Sequence, residues 1–420
     1  MMTQAFYTGI SGLRSNQGAI DIVSNDIANI STVGYRGYNS EFSSFFEKEL
    51  ATTSASSSTS SLVGLGSKLN ASSMDTSFGD MQISDKNSDL AISGNGWFGV
   101  VGSEGESLYT RAGSFNFDNE GSLVTPEGNY VLGTMGGNIQ NGKITTILDE
   151  VKLGAAGAQT KMSFPASLEY DAIPTTLSQF YGNIGREDLP RKISASAIDS
   201  QGNKNNIELS FTMTQPQVLP GTQWDVVATA QSLDGNTIYN TQTGKVAFDD
   251  SGAILSSTLN SINNNGSVVE LNLGSGFDGV TSLSGSPISG SSQSNGSVGG
   301  QLEGYEINTN AEVIASFSNG IQTSVGKIAV YHFMNEEGLE RNSGSTFKQS
   351  SNSGDPLIFK DSNGDYYNGV NVLNYRLEGS NVRMSEGLTE LIIYQRSYDA
   401  NSKSISTANE MMQKALQMDA

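Results

Sequence analysis

Both ends of this chain repeat apolar residues at alternating spacings of four and three, while the long interior between them does not. At the N-terminus the positions are Phe6, Ile10, Leu13, Gln17, Ile20, Ser24 and Ile27. At the C-terminus they are Met384, Leu388, Leu391, Gln395, Tyr398, Ser402, Ile405, Asn409, Met412 and Leu416. That spacing is the a/d repeat of helices that pack against other helices. At about 1.5 Å per residue, the C-terminal helix would be roughly 50 Å long. Gly9, Gly12 and Gly18 weaken the N-terminal one, each by about 1 kcal/mol relative to Ala, so alone it would be marginal in water. Residues Asn29 to Gly34 should end it. Polar residues on both seams fix register and partner number at some cost in stability. Two readings follow: a helical hairpin that closes the chain on itself, or a helical layer that packs against other copies.

The interior calls for strands and turns. Of 420 residues, 48 are Gly and only 8 are Pro, and Ser, Thr and Asn fill much of the remainder, a mixture that helix interiors tolerate poorly. Hydrophobic residues amount to only 36%, lean enough to raise the question of disorder. Short alternating runs of Val, Ile, Phe and Tyr argue for order instead. Residues Asp89 to Val101 read as strand, Asn-Gly turn, strand. The turn at Asp118 to Gly121 is echoed at Asp249 to Gly252, each with Asp to start it and Gly to supply positive φ. Ala51 to Ser61, almost pure Ser, Thr and Ala, reads as a connector, and the Ser/Gly-dense Thr281 to Gly300 as a linker. Alternating sequence resumes after it, so the β sequence on either side of the middle could pair into one domain with another inserted. The expected fold class is α+β: terminal helices paired as a coiled-coil-like layer, and two β-rich domains, one inserted in the other.

Composition excludes much chemistry. There is no Cys, hence no disulfide, thiol nucleophile or thiolate metal site, and the single His332 leaves no room for histidine-based catalysis. Asp361 to Asp365 resembles a calcium loop but lacks the Glu at the twelfth position, where Val372 stands, and reads as a solvated turn. No cofactor, metal or catalytic residue is expected, and the chain is read as not an enzyme. A net charge of −20 argues against nucleic acid and anionic membrane as partners. No run approaches the ~20 apolar residues needed to span a bilayer, so no membrane insertion is expected. No cleavable signal peptide is visible.

Three groups of residues resemble one family. Gly9-Ile-Ser-Gly-Leu13, Val23-Ser-Asn25-Asp-Ile-Ala-Asn29 and Thr32-Val-Gly34-Tyr35-Arg36 are similar to the N-terminal signature of the rod and hook family of bacterial flagellar axial proteins. Asp89 to Phe98, with Gly94, Gly96 and Trp97, followed by Tyr109-Thr-Arg111-Ala-Gly113, resembles the family's central signature. Gln395 to Lys403 resembles its terminal-helix signature. About 150 residues inserted after the central signature make the chain resemble the hook members rather than the shorter distal rod members. The Ser-rich connector and Asn401-Ser-Lys403 are somewhat rod-like.

The resemblance implies a self-assembling structural subunit, exported unfolded through the flagellar secretion apparatus and located in the flagellar hook and basal body. Implied partners are further copies of itself, the distal rod protein, the hook cap protein, the hook–filament junction protein and the export apparatus. It implies a helix of the inner tube at 1–35, a connector at 36–75, a middle β domain at 76–150 and 298–379, an outer β domain at 151–297 and a second inner helix at 380–420. The inner-helix interface would use Phe6, Ile10, Leu13, Ile20, Ile27, Asn29, Leu388, Leu391, Tyr398, Ile405, Met412 and Leu416. Asn25, Gly34, Tyr35, Gly94, Gly96, Phe98, Arg111 and Gly113 carry the motif.

Overall fold

The computed structural model describes residues 2–44, 47–49, 62–64, 66–217, 221–285 and 288–418. The expected connector at residues 51–61 lies outside them. Two long helices, α1 (Met2–Ala28) and α2 (Met384–Met418), run antiparallel: Gly9 meets Ile405, Gly12 meets Asn401, and Ile27 meets Gly387. No described helix is long and apolar enough to cross a membrane. A two-stranded ribbon, Tyr38–Ser44 with Ser67–Met74, lies along the pair. It bridges both helices, with Leu69 beside Gly18 of α1 and the Phe42 ring tilted against that of Tyr394 of α2 at a centroid distance of 5.8 Å.

The β sequence forms two bodies, one nested in the other. The first is a mixed 15-stranded sheet whose path runs through Gly300–Ile307, Glu312–Phe317, Gln322–Ile328, Tyr130–Met135, Trp97–Val101 and Ser107–Thr110. The second packs a five-stranded antiparallel meander against a six-stranded sheet. Its strands Lys204–Met213 and Thr222–Ser232 alternate strictly, turning Ile207, Leu209 and Phe211 and then Trp224, Val226, Ala228 and Ala230 inward. Each body holds one of the two tryptophans fully buried, Trp97 in the first and Trp224 in the second. The strands that flank the second body, Glu169–Tyr170 and Gly300–Ile307, pair with each other. The chain therefore leaves the first body and returns to it at adjacent points.

Two local readings are corrected. Leu90–Ser93 and Trp97–Val101 are strands joined by the Asn-Gly turn, yet they do not pair together. The first pairs with Asn371–Asn374 and the second with Ser107–Thr110, because distant partners outcompete the hairpin. Residues 281–300 are no linker: Ile288–Ser294 pairs antiparallel with Leu177–Asn183. Backbone hydrogen bonding needs no apolar side chain, so a Ser-rich run can hold a strand once a partner edge is in place.

The turn echo is geometrical as well as sequential. Asp118, Asp199, Asp249 and Asp361 each turn a carboxylate oxygen onto the backbone N–H four residues on, and Gly121, Gly202, Gly252 and Gly364 follow with φ between 77° and 91°. The calcium-like sequence is one of these turns.

His332 is buried, and its Nε2–H donates to the Asn368 carbonyl at 2.6 Å. Burial pushes the imidazole below its usual range, against the opposing pull of that carbonyl. The unfolded chain then takes up the proton first as pH falls. Stability should be complete above the ordinary histidine value of about 6.5 and decline as pH drops from there through the lower folded value. Because the chain has one histidine, a single imidazole NMR titration reads this directly. A midpoint at or above the ordinary value would contradict the buried geometry, and His332→Gln should flatten that part of the pH–stability curve.

Candidate functional site: the joint between helices and β body

The motif residues, scattered along the sequence, converge where α1 meets the first β body. After α1 the chain must turn sharply, and Gly34 does so at φ +66°. A Cβ there would lie 2.3 Å from the Ala112 backbone nitrogen. Left-handed strain alone costs a non-glycine residue about 1–3 kcal/mol. Gly34→Val should therefore lower the denaturation midpoint markedly, and an unchanged midpoint would show that the turn relaxes freely.

Tyr35 follows, 1% exposed. Its phenol donates to Asp26 Oδ1 at 2.8 Å and accepts from Asn25 Nδ2 at 3.0 Å and Arg341 Nη1 at 3.1 Å. The Arg341 guanidinium lies 4.5 Å from the centre of the same ring. Burial pushes the Tyr35 hydroxyl up to about 12, so it remains a donor at any physiological pH. Asp26 is raised by burial, and the Tyr38 N–H and the Tyr35 hydroxyl pull against that rise.

Beneath Tyr35 lies a buried ionic cluster. The Glu378 carboxylate accepts from Arg36 Nη2 at 3.0 Å, from Arg111 Nη2 and Nε at 2.8 Å each, and from the Gly79 N–H at 3.1 Å. Arg111 spends its other nitrogen on the carbonyls of Gly94 and Gly96, at 2.8 and 2.6 Å. Arg36 also donates to the Ser77 carbonyl, and burial depresses its guanidinium, opposed by the Glu378 charge. The Phe78 ring covers both guanidiniums, 5.7 Å from Arg36 and 5.3 Å from Arg111. The Gly34 N–H donates to the Glu378 carbonyl at 2.8 Å, so the same residue ties the turn to the cluster through its backbone. Asn381 completes the joint, accepting from the Gly37 N–H and donating to the Asp75 carbonyl. Gly113 packs so closely on Leu90 that a Cβ would sit 1.9 Å from its carbonyl oxygen, and Phe98 lies below, edge-to-face on Phe115.

Glu378, Asp26, Phe78, Arg341 and Asn381 carry this joint without having been singled out from sequence. One signal was available for the first of them: Arg36 and Arg111 stand in apolar-and-glycine motifs, and two buried guanidiniums need a nearby carboxylate.

The helix residues divide differently. The flank of α1 turned to α2 carries small residues: Gly9, Gly12, Ala19 and Val23 are buried, and a Cβ on Gly9 or Gly12 would lie 2.7 or 2.8 Å from Ile405 or Asn401. The apolar stripe of Phe6, Ile10, Leu13, Ile20 and Ile27, with the polar Asn29 beyond it, is only half-buried. On α2, Leu391, Ile405 and Met412 are half-buried, while Leu388, Tyr398 and Leu416 are exposed, Leu416 to 71%. Of the twelve, the structure brings Ile27 onto Gly387 and Ile405 onto Gly9.

Three family models match in chain order: "Flagella basal body rod protein" at 6–36, "Flagellar hook protein FlgE/F/G D1 domain" at 91–160 and "Flagellar basal body rod FlgEFG protein C-terminal" at 374–418. The joint is built from residues in and beside all three segments. The flagellar hook protein FlgE of Borreliella burgdorferi is 29% identical, over 99% of this chain and 100% of its own. That of Escherichia coli K12 is 28% identical, over 97% and 98%. A crystal structure of Helicobacter pylori flagellar hook protein FlgE2 aligns with TM-score 0.52 at 15% identity, over 71% of this chain and all of that one, a likeness of fold. Motif segments at both ends and in the middle, with their side chains gathered at one joint, and relatives matched from end to end make the chain similar to the hook proteins of the flagellar rod and hook family.

Proposed function

We propose that this chain is the structural subunit that polymerises into the bacterial flagellar hook, the flexible tubular joint that transmits torque from rod to filament and encloses the export channel. The observation that carries the reading is the uncovered apolar surface on the paired helices. Leu388, Ile392, Ile393, Tyr398, Met411 and Leu416 on α2, with the Phe6–Ile10–Leu13–Ile20 stripe on α1, are left for other copies to bury. Identical copies meeting through unlike surfaces build an open helical tube. In that tube α1 and α2 line the channel, the first β body forms the middle layer and the inserted body the outermost. The buried ionic joint then sets the angle between layers and carries torque from one to the next. The distal rod protein, hook cap protein, hook–filament junction protein and export apparatus are its expected partners. It has no enzymatic role.

The alternative is a distal rod subunit. End-to-end similarity to hook proteins, inserted body included, supports the hook reading. Gold-tagged antibody against residues 151–297, applied to purified hook–basal bodies, decides between them. Label along the curved segment outside the rings is expected. Label confined to the straight shaft would make the chain a rod subunit, and a particle without label would sink the axial reading, given an antibody that binds the native protein.

A further inference from the structure

Tyr109 opens the signature segment Tyr109-Thr-Arg111-Ala-Gly113. Arg111 and Gly113 are used at the joint, and Tyr109 is not. Its ring is wedged edge-to-face between Tyr331, 5.3 Å away, and Phe333, 4.8 Å away, and the residue is 2% exposed. Among the described residues nothing hydrogen-bonds its hydroxyl. A hydroxyl taken from water without a partner is costly, and such groups usually mark a place where something else binds. Burial, and after it the Asp355 charge, push this hydroxyl up to about 12. It therefore stays protonated as a donor, and it lies towards Asp355.

Tyr109 lines a cleft of about 640 Å³ in the first β body, walled by Leu132, Pro356 and the Tyr331 ring. That volume is in the range of small-molecule sites. Two charges stand in the same lining, Lys348 half-buried and Asp355 exposed. Neither makes an ion pair among the described residues, so they are also too far apart to pair with each other. The charged residues beside Lys348 do not change this balance. Glu340, opposite it in the strand pair, is outside the lining and makes no ion pair with it, and Arg341 turns away to the Tyr35 hydroxyl. The cleft thus offers one cation, one anion and one donor, all unpartnered, against an apolar wall. A ligand with a single charge would satisfy one of the two ions and be repelled by the other. A dipeptide carries an ammonium, a carbonyl next to it and a carboxylate beyond, in the order that Asp355, the Tyr109 hydroxyl and Lys348 would meet them.

We propose that this cleft binds a zwitterion of dipeptide size, with its ammonium on Asp355, its peptide carbonyl on the Tyr109 hydroxyl and its carboxylate on Lys348. Leu132 and Pro356 lie against the ligand's side chains. The two ionic contacts weaken as salt rises. Nothing in this contact needs a second copy, so it goes beyond the assembly reading and does not depend on it.

Isothermal titration calorimetry of the full-length chain with dialanine tests the site. Saturable binding is expected with Kd of about 1 mM or tighter, and no saturable heat up to roughly 20 mM would overturn the proposal. N-acetyl-dialanine and dialanine amide, each lacking one charge, should bind about tenfold more weakly. Equal affinity for either derivative would overturn it. Tyr109→Phe removes only the hydroxyl and keeps the ring between Tyr331 and Phe333, and should weaken dialanine about fivefold. Asp355→Asn, at an exposed side chain, should weaken dialanine while leaving N-acetyl-dialanine unchanged, and Lys348→Met should do the same with respect to dialanine amide. Unchanged circular dichroism shows that each variant is folded, and the exposed position of Asp355 keeps the test standing should Tyr109→Phe disturb the core. Dialanine binding that survives all three substitutions would place the ligand elsewhere and overturn the site.

Discussion

Glu378→Ala should destabilise the first β body by about 3–5 kcal/mol, the range expected when one partner of a buried ion pair is removed. The carboxylate is the anion that directly pairs Arg36 and Arg111, and both guanidiniums and the carboxylate itself are almost fully buried. Without it, two buried cations face each other, and the Gly79 N–H loses its acceptor. Relaxation of Phe78, which is half-exposed above the cluster, would let water reach the guanidiniums and recover part of the loss. Glu378→Gln should fall between, since the amide oxygen still accepts from one arginine. Urea denaturation gives the magnitudes, and Glu120→Ala, at an exposed turn, supplies the baseline. If Glu378→Ala cost no more than that baseline, the cluster would not hold the joint. Proteolysis between residues 29 and 38 adds a local readout, because cleavage there should speed up before the β body melts.

Deleting residues 388–420 should abolish polymerisation and leave both β bodies folded. The main core of the first body and the core of the inserted body are built without any helix residue, so their melting should stay close to that of the intact chain. α1 loses the surface that covers its small-residue flank. A glycine-rich helix without packing is unstable in water, so helical circular dichroism should fall by more than the 33 residues removed would explain. Sedimentation of the truncated chain should show monomer at every concentration at which the intact chain forms polymer. An unfolded truncated monomer would instead mean that the helix pair serves to close the chain on itself. Gly12→Leu offers a milder form of the same test, because its side chain would press on Asn401 and separate the helices.

The sequence by itself determined that both ends are helices and the interior is β, through apolar spacing and the exclusion of Gly, Ser and Asn from helix interiors. It also determined the Asp-x-x-Gly turns, whose geometry is local: a carboxylate reaching its own backbone, and a glycine free to take positive φ. Only the tertiary structure decided which partners those elements take. Apolar spacing marks Phe6, Ile10, Leu13 and Ile20 as the seam of α1, yet α2 sits on Gly9 and Gly12, because close approach of two backbones is governed by missing side chains that hydrophobicity does not register. A Ser-rich run after Thr281 reads as a linker until the edge of Leu177–Asn183 gives its backbone a ladder. The joint itself depended most on the fold. Arg111 and Glu378 stand 267 positions apart, and nothing local to either predicts the other. The pairing arises because Arg376–Glu378 pairs with Met81–Ile83, beside the turn at Gly34 and the glycine loop at Gly94–Gly96, and burial of two guanidiniums there requires an anion within reach.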